Sequence, residues 1–168
     1  MGGVDGARWQ ADALLHLTLR FIGEVGSDRV ESISRAVGSV ATPASAPTLA
    51  IAGVGRFGRP GRSGALWAGV VADEKLVSLR HAVDRALEAV GIAREDRRFI
   101  PHVTLARLGR GAGPAEAFLA GHADLSSPPF RVDEMILYES LNGPGGLRYL
   151  PLARYPLVSR PDAPERSR

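Results

Sequence analysis

The sequence predicts an α+β domain in which helices pack on largely antiparallel sheets. The first observation behind this prediction is the order of the predicted elements: strand, helix, two strands, helix, strand, short helix and two strands. The second is the length of 168 residues, which suits one compact domain or two small lobes that share a core. The third is the composition, with 45% hydrophobic and 23% charged residues, as in ordinary globular proteins.

Six segments have the pattern of β-strands, because their apolar residues alternate with polar ones or form short runs between turn residues. They cover residues 14–21, 48–54, 65–72, 100–107, 130–139 and 147–153. A loop rich in Gly and Arg is predicted over 55–64, and a turn through 142–146 is predicted to join the last two strands.

Two segments carry apolar residues at helical spacing, and a third, shorter helix is predicted before residue 122. We expect Ser27 or Asp28 to cap the first helix and Asp73 to cap the second. Gly91 is suited to end the second helix, because glycine adopts the left-handed conformation without strain. The predicted helices cover residues 28–40, 74–90 and 114–121.

The composition also limits the function. There is no cysteine, which excludes disulfides, thiol nucleophiles and cysteine-based metal sites. The net charge is +3 and the pI about 9.9, and Lys75 is the only lysine. Because arginine forks match phosphate oxygens, this favours an anionic partner, although a GC-rich genome would enrich arginine equally well. With no signal peptide and no membrane-spanning run, we expect a cytoplasmic protein that does not act on membranes.

One short pattern occurs twice, 86 residues apart. The segment His-Leu-Thr-Leu-Arg-Phe-Ile-Gly at 16–23 aligns with His-Val-Thr-Leu-Ala-Arg-Leu-Gly at 102–109, so that His, Thr, Leu and Gly match at the same offsets. In a strand, residues i and i+2 point to the same face. His16 and Thr18 are therefore expected to project together, and so are His102 and Thr104.

Two imidazoles and two hydroxyls around one cleft suit in-line phosphoryl transfer. A neutral imidazole can accept a proton from water, and a protonated one can donate a proton to the leaving oxygen. Threonine hydroxyls can donate hydrogen bonds to the non-bridging oxygens. A single His-x-Thr carries almost no information, since either histidine could be an ordinary partly buried residue. The repeat makes a paired site the stronger hypothesis.

Other side chains are candidates for substrate binding. Arg107 suits a phosphate, although a regular strand would point it away from His102, so a bulge or strand end is needed. Phe57, Trp67 and Tyr149 could stack on a base at an RNA end, although aromatic residues are more often core. His81 and His122 lack metal-ligand spacing, and we expect surface or capping roles for them.

These residues resemble the two-histidine phosphoesterase superfamily, and more closely its LigT-like branch of RNA 2′,3′-cyclic phosphodiesterases, also called 2′–5′ RNA ligases. The resemblance runs from about residue 8 to residue 158. It includes Arg8-Trp9, both histidine motifs, Phe57, Leu66 to Val70, and Tyr138, Ser140, Leu141, Tyr149 and 155–157 in the C-terminal strands.

The resemblance implies a bilobal fold with an internal two-fold and a central cleft, lined by antiparallel sheets with helices outside. It implies hydrolysis of RNA 2′,3′-cyclic phosphates to 2′-phosphomonoesters without a metal or other cofactor, possible in reverse as 2′–5′ ligation. It assigns His16 as proton donor to the 3′ oxygen and His102 as the acceptor that activates water. Thr18 and Thr104 would hold the phosphoryl oxygens.

The family's opening strand and helix are expected to be missing, because only seven residues precede Arg8. We expect a monomer with one bilobal domain over 1–158 and a flexible tail over 159–168. Three alternatives stay open: a phosphodiesterase for another small or 2′–5′ linked nucleotide, a non-catalytic protein that binds RNA ends, and a histidine metal protein, which would lose activity with a chelator.

Overall fold

The computed structural model describes residues 3–143 and 146–158. It confirms the α+β class. Five strands form one antiparallel sheet in the order β1-β4-β3-β2-β5, and two more pair as a separate antiparallel ribbon. The sheet contains β1 (Ala7–Trp9), β2 (Thr48–Phe57), β3 (Gly64–Ala72), β4 (His102–Leu108) and β5 (Phe130–Arg131), and the ribbon contains β6 (Glu134–Gly143) and β7 (Gly146–Pro156). The helices are α1 (Val30–Ala41), α2 (Glu74–Ala89) and α3 (Glu116–Gly121), with 3₁₀ turns over Asp12–Leu14 and Ser27–Arg29.

Two separate hydrophobic clusters give the molecule two lobes. One lies between α1, α2 and the ribbon, and its buried members include Ile33, Leu79 and Leu87. The other lies between the five-stranded sheet and α3, with Leu66 and Ala106 fully buried. The lobes are unequal, since one contains five strands and the other contains two. The two lobes are therefore not related by a two-fold that matches every strand of one to a strand of the other.

The start of α2 shows how the sequence fixes a helix. Asp73 accepts a hydrogen bond from the Leu76 backbone N–H, as predicted for its N-cap, and its second oxygen accepts one from the Thr48 N–H at 2.9 Å. Gly91 has a φ of +78°, which confirms its role just beyond the helix end. The same aspartate thus caps α2 and ties it to β2.

The predicted N-cap of α1 is wrong. The helix follows directly on the 3₁₀ turn of Ser27–Arg29, and Arg29 occupies the cap position without a side-chain hydrogen bond to the helix backbone. The Val30 N–H donates to the Ser27 carbonyl instead. Because a backbone turn satisfies that donor, neither Ser27 nor Asp28 has to cap it.

Several predicted strands have different limits. Residues 14–21 do not form a continuous strand: a 3₁₀ turn winds Asp12–Leu14, and Leu17 makes a single bridge. The predicted loop over 55–64 is shorter, since Phe57 still pairs with Ala65. The segment 130–139 is split, because its first two residues pair with β2 and the rest with β7.

Gly143 and Gly146 pair on either side of the predicted turn, whereas residues 144–145 lie outside the described part. The predicted tail over 159–168 also lies outside the described residues. In the ranges that the structure describes, no helix is both long enough and apolar enough to cross a bilayer.

Candidate active site

The two histidine motifs lie side by side in the structure. Leu17 forms an isolated antiparallel bridge with Val103. In an antiparallel register, the residues on either side of such a bridge lie opposite each other and share one face. The pairs that this register places opposite each other are His16 with Thr104 and Thr18 with His102. A local two-fold between Leu17 and Val103 therefore relates the two motifs.

Both imidazoles are oriented by the same hydrogen bond. Nδ1 of His16 lies 2.8 Å from the carbonyl oxygen of Leu14, and Nδ1 of His102 lies 2.6 Å from that of Ile100. Because a carbonyl oxygen can only accept, Nδ1 carries a proton in each ring. Nε2 is then the atom that can gain or lose a proton toward a ligand. The sequence does not reveal this interaction, since its acceptors are backbone groups.

One aromatic ring contacts each histidine edge-on. Tyr149 of β7 lies 4.7 Å from the His16 ring centre, and Phe57 of β2 lies 4.8 Å from that of His102. Trp67 of β3 lies 5.3 Å from Phe57 and 6.2 Å from His102. All three predicted aromatic candidates are therefore at the site, where they limit rotation of the imidazoles.

The two threonines are available to a ligand. Thr18 is exposed and Thr104 is half-buried. Within the described chain, neither hydroxyl forms a hydrogen bond with another residue. Both can therefore donate to an anion held between the imidazoles.

A bulge in β4 brings Arg107 to the face of the histidines. Leu105 has no partner in β3, because the ladder shifts at this point. An extra residue reverses the alternation of a strand, so Arg107 faces the same side as His102. Its neighbours Ala106 and Leu108 are buried in the core, whereas Arg107 is exposed. This is the irregularity that the sequence required for Arg107 to reach the site.

Arg107 lines an open depression of about 440 Å³ together with Phe57, Arg8 and Ser63. Arg8 lies opposite Arg107 in the β1–β4 ladder, so the two guanidiniums share one face. The sequence pattern predicts no functional role for Arg8. The only signal that could have found it is the β1–β4 pairing, which brings together segments about 100 residues apart.

A partly buried ion-pair network supports the first motif. Arg20, which is 6% exposed, lies 3.1 Å from Asp84 and 3.5 Å from Glu95. Arg80 of α2 also pairs with Asp84, and its guanidinium lies over the ring of Phe99. The network therefore links the first motif, α2 and the segment that leads to the second motif.

At the exposed end of this network, Glu95 accepts two hydrogen bonds from Arg97, at 2.8 and 3.0 Å. This contact is the main reason why the pKa of Glu95 is lowered to about 2, with a smaller contribution from Arg20.

A family model described as the 2′-5′ RNA ligase superfamily matches residues 7–144, which contain both motifs. The chain belongs to this superfamily. The family resemblance of the sequence is thereby confirmed.

Several curated relatives carry the name RNA 2′,3′-cyclic phosphodiesterase. The protein of Geobacillus stearothermophilus is 31% identical over 92% of this chain. The chain spans about half the length of that relative, 49%. The Escherichia coli protein is 31% identical over 86% of this chain and 76% of its own length. The Archaeoglobus fulgidus protein is 28% identical over 89% of this chain and 83% of its own length.

Solved structures share the fold of this superfamily member. E. coli LigT in complex with 3′-AMP superposes with a TM-score of 0.70 and 28% identity, over 92% of this chain and 83% of that one. A protein of Thermus thermophilus superposes with a TM-score of 0.74 over 92% of this chain and 84% of that one. Its sequence identity is 24%, so this similarity shows the fold alone.

The remaining histidines lie apart from the site. His81 is exposed on α2. His122 follows α3, where its Nδ1 lies 2.8 Å from the Phe118 carbonyl and its ring stacks on Phe118. Across residues 3–143 and 146–158, no three or more His, Cys, Asp or Glu side chains are grouped to hold a metal ion. The absence of a metal from the reaction stays a prediction.

Proposed function

We propose that this chain hydrolyses the 2′,3′-cyclic phosphate at the 3′ end of RNA to a 2′-phosphomonoester, with His16 and His102 as an acid–base pair. One observation carries the proposal. The two imidazoles are oriented by equivalent backbone hydrogen bonds, and the β-bridge between Leu17 and Val103 places each imidazole opposite a threonine hydroxyl. A protein that only binds RNA ends needs neither imidazole in this arrangement. The names of the relatives point to the same reaction.

The proposed reaction is a single in-line displacement. Nε2 of His102 accepts a proton from water as the water oxygen forms a bond with phosphorus. The bond between phosphorus and the 3′ oxygen breaks, and Nε2 of protonated His16 donates its proton to that oxygen. The cycle ends with His102 protonated and His16 neutral, and exchange with solvent restores the starting state. With a 5′-hydroxyl in place of water as the nucleophile, the same displacement of the 3′ oxygen would join RNA ends through a 2′–5′ bond, and the reverse of that step would cleave the bond again.

The neighbouring side chains have supporting roles in this proposal. Thr18 and Thr104 donate hydrogen bonds to the non-bridging oxygens, where negative charge increases in the transition state. Arg107 adds positive potential on the same face. Phe57 and Tyr149 hold the imidazole planes and offer apolar surface to the terminal nucleoside.

The decisive experiment uses 2′,3′-cyclic AMP and a short RNA that ends in a 2′,3′-cyclic phosphate, in excess EDTA. The products are identified by chromatography against 2′- and 3′-phosphate standards. We expect a 2′-phosphate product that is lost in His16→Ala and His102→Ala and retained in His81→Ala, the surface control. Turnover that disappears with EDTA and returns with added metal would overturn the metal-free mechanism. Tight RNA binding without turnover would favour the non-catalytic alternative.

The two proton-transfer roles also predict the pH dependence. One imidazole must start neutral and the other protonated, so kcat/KM should be bell-shaped in pH. The measurement is kcat/KM on 2′,3′-cyclic AMP from about pH 5 to about pH 9, the range that brackets the ordinary histidine pKa. A flat profile over this range would contradict the pair.

We further propose that residues 1–158 act as one bilobal domain, and that the protein is monomeric and acts on RNA in the cytoplasm. The support for a single domain is the histidine site, to which both the ribbon and the five-stranded sheet contribute side chains. Light scattering coupled to size-exclusion chromatography tests the monomer, since a dimer would have twice the mass of 17.8 kDa.

A further inference from the structure

A second depression continues the first one away from the histidines. It has a volume of about 560 Å³ and is lined by Gly61, Arg62, Ser63 and Arg110. Ser63 also lines the depression that contains Phe57, Arg8 and Arg107, so the two are contiguous. Because Phe57 touches the His102 ring, the combined surface begins at the proposed active site.

The backbone holds the far end of this surface in place. Gly58 and Gly61 have φ values of +83° and +73°, which allow the tight connection between β2 and β3. The Arg62 N–H donates to the Arg59 carbonyl at 3.1 Å and closes the turn, and Arg56 donates to the same oxygen. Arg62 is therefore presented from a fixed turn.

Within the part of the chain that the structure describes, the arginines on this surface have no acidic partner, and no carboxylate lies beside them. Elsewhere, ion pairs with carboxylates involve Arg20, Arg35, Arg80, Arg94, Arg97, Arg131 and Arg154. In the ranges described by the structure, Arg8, Arg62 and Arg110 form no ion pair, although all three are exposed. No Asp or Glu lines either depression within those ranges. Several unneutralised guanidiniums around one concavity favour a ligand with more than one negative charge.

We propose that Arg8, Arg62 and Arg110 bind phosphodiester groups of the RNA on the 5′ side of its cyclic-phosphate end, which makes RNA oligonucleotides better substrates than mononucleotides. This inference rests on the proposed function. An RNA whose terminal phosphate lies between the histidines can continue across the adjoining surface. There its backbone supplies one charge per nucleotide, which matches a row of guanidiniums that begins at Phe57.

The test compares two substrates of the same reaction. Initial rates are measured on 2′,3′-cyclic AMP and on RNAs of two to six nucleotides with a 2′,3′-cyclic phosphate. The variants are Arg8→Ala, Arg62→Ala, Arg110→Ala and the double Arg62→Ala/Arg110→Ala. Arg85→Ala is the matched control, because Arg85 is exposed on α2, forms no ion pair in the described chain and lines neither depression.

We expect wild-type kcat/KM to rise with RNA length, and each substitution to lower it about tenfold on RNA, mainly through KM. Activity on 2′,3′-cyclic AMP should stay within about twofold in Arg62→Ala, Arg110→Ala and the double variant, which also shows that these variants are folded. The dependence of log kcat/KM on log salt should become shallower by about 0.7 for each phosphate contact removed.

The outcomes separate this inference from the proposed function. Equal losses on both substrates, or no loss on RNA, would overturn the upstream site while leaving the cyclic phosphodiesterase in place. Absence of turnover on every substrate would refute the proposed function. Fluorescence anisotropy with a labelled RNA ending in a 3′-phosphate then tests the arginines alone. Binding weakened in the three variants but not in Arg85→Ala would support the site, and equal binding in all would overturn it.

Discussion

The second histidine motif lies within β4, between β1 and β3, whereas the first pairs with the rest of the sheet only at Leu17. Yet the two imidazoles make the same Nδ1 contact with the carbonyl oxygen two residues earlier. The local backbone conformation therefore orients each ring, while different long-range interactions hold each segment.

The fourth position after each histidine shows what these interactions are. After His102 it is Ala106, which is fully buried in the core beneath the sheet. After His16 it is Arg20, whose guanidinium reaches Asp84 and Glu95. The second motif is therefore held by a strand ladder and apolar packing, and the first by ion pairs to α2 and the segment that follows it.

The largest expected effect separates the two histidines by role. His16→Ala and His102→Ala should each lower kcat on 2′,3′-cyclic AMP by about 10²–10⁴-fold. An aryl phosphodiester such as bis(p-nitrophenyl) phosphate has a leaving group that departs without a proton. With it, His16→Ala should recover most of its activity and His102→Ala should not. Steady-state rates on both substrates measure this, and recovery of His102→Ala instead would reverse the assignment.

Replacement of the two threonines compares their environments. Thr18→Val and Thr104→Val remove a hydroxyl at nearly constant volume, and loss of a donor to a developing negative charge typically costs about 10²–10³-fold in kcat. Thr104 is half-buried and Thr18 exposed, so the loss should be larger for Thr104→Val. The control is Thr42→Val at the end of α1, where the hydroxyl donates to Gly38. Equal rates for all three variants would remove the threonines from the mechanism.

Arg20→Ala tests the ion pairs that support the first motif. After this change, Asp84 keeps only its ion pair with Arg80, although its side chain is just 18% exposed. We therefore expect the free energy of unfolding to fall by about 2–3 kcal/mol. Urea unfolding measures it. Arg35→Ala breaks the exposed pair with Glu31 and should cost about 0.5 kcal/mol or less. If the two variants were equally stable, the network would not support the motif.

The sequence predicts much of the site because its signals are local. Alternation, the Asp73 cap and Gly91 identify most elements, and the repeat identifies both histidines. The bridge at Leu17, the bulge at Leu105 and the register of Arg8 depend on pairings between distant segments, which no local pattern specifies. Arg20 could not be interpreted for the same reason, since Asp84 lies 64 residues further along the chain.

The smallest effect is expected at the exposed end of the network. Glu95 has a pKa lowered to about 2, chiefly by Arg97, so this carboxylate stabilises the fold above the unfolded pKa of about 4.5. That contribution is lost as the pH falls toward about 2. Arg97 is 80% exposed, so Arg97→Ala should lower the urea midpoint only slightly at neutral pH. The difference from wild type should shrink between about pH 5 and about pH 2, while Arg94→Ala, 4.0 Å from Glu88, should show no such trend. A difference that grows on acidification would mean that Arg97 acts through another group.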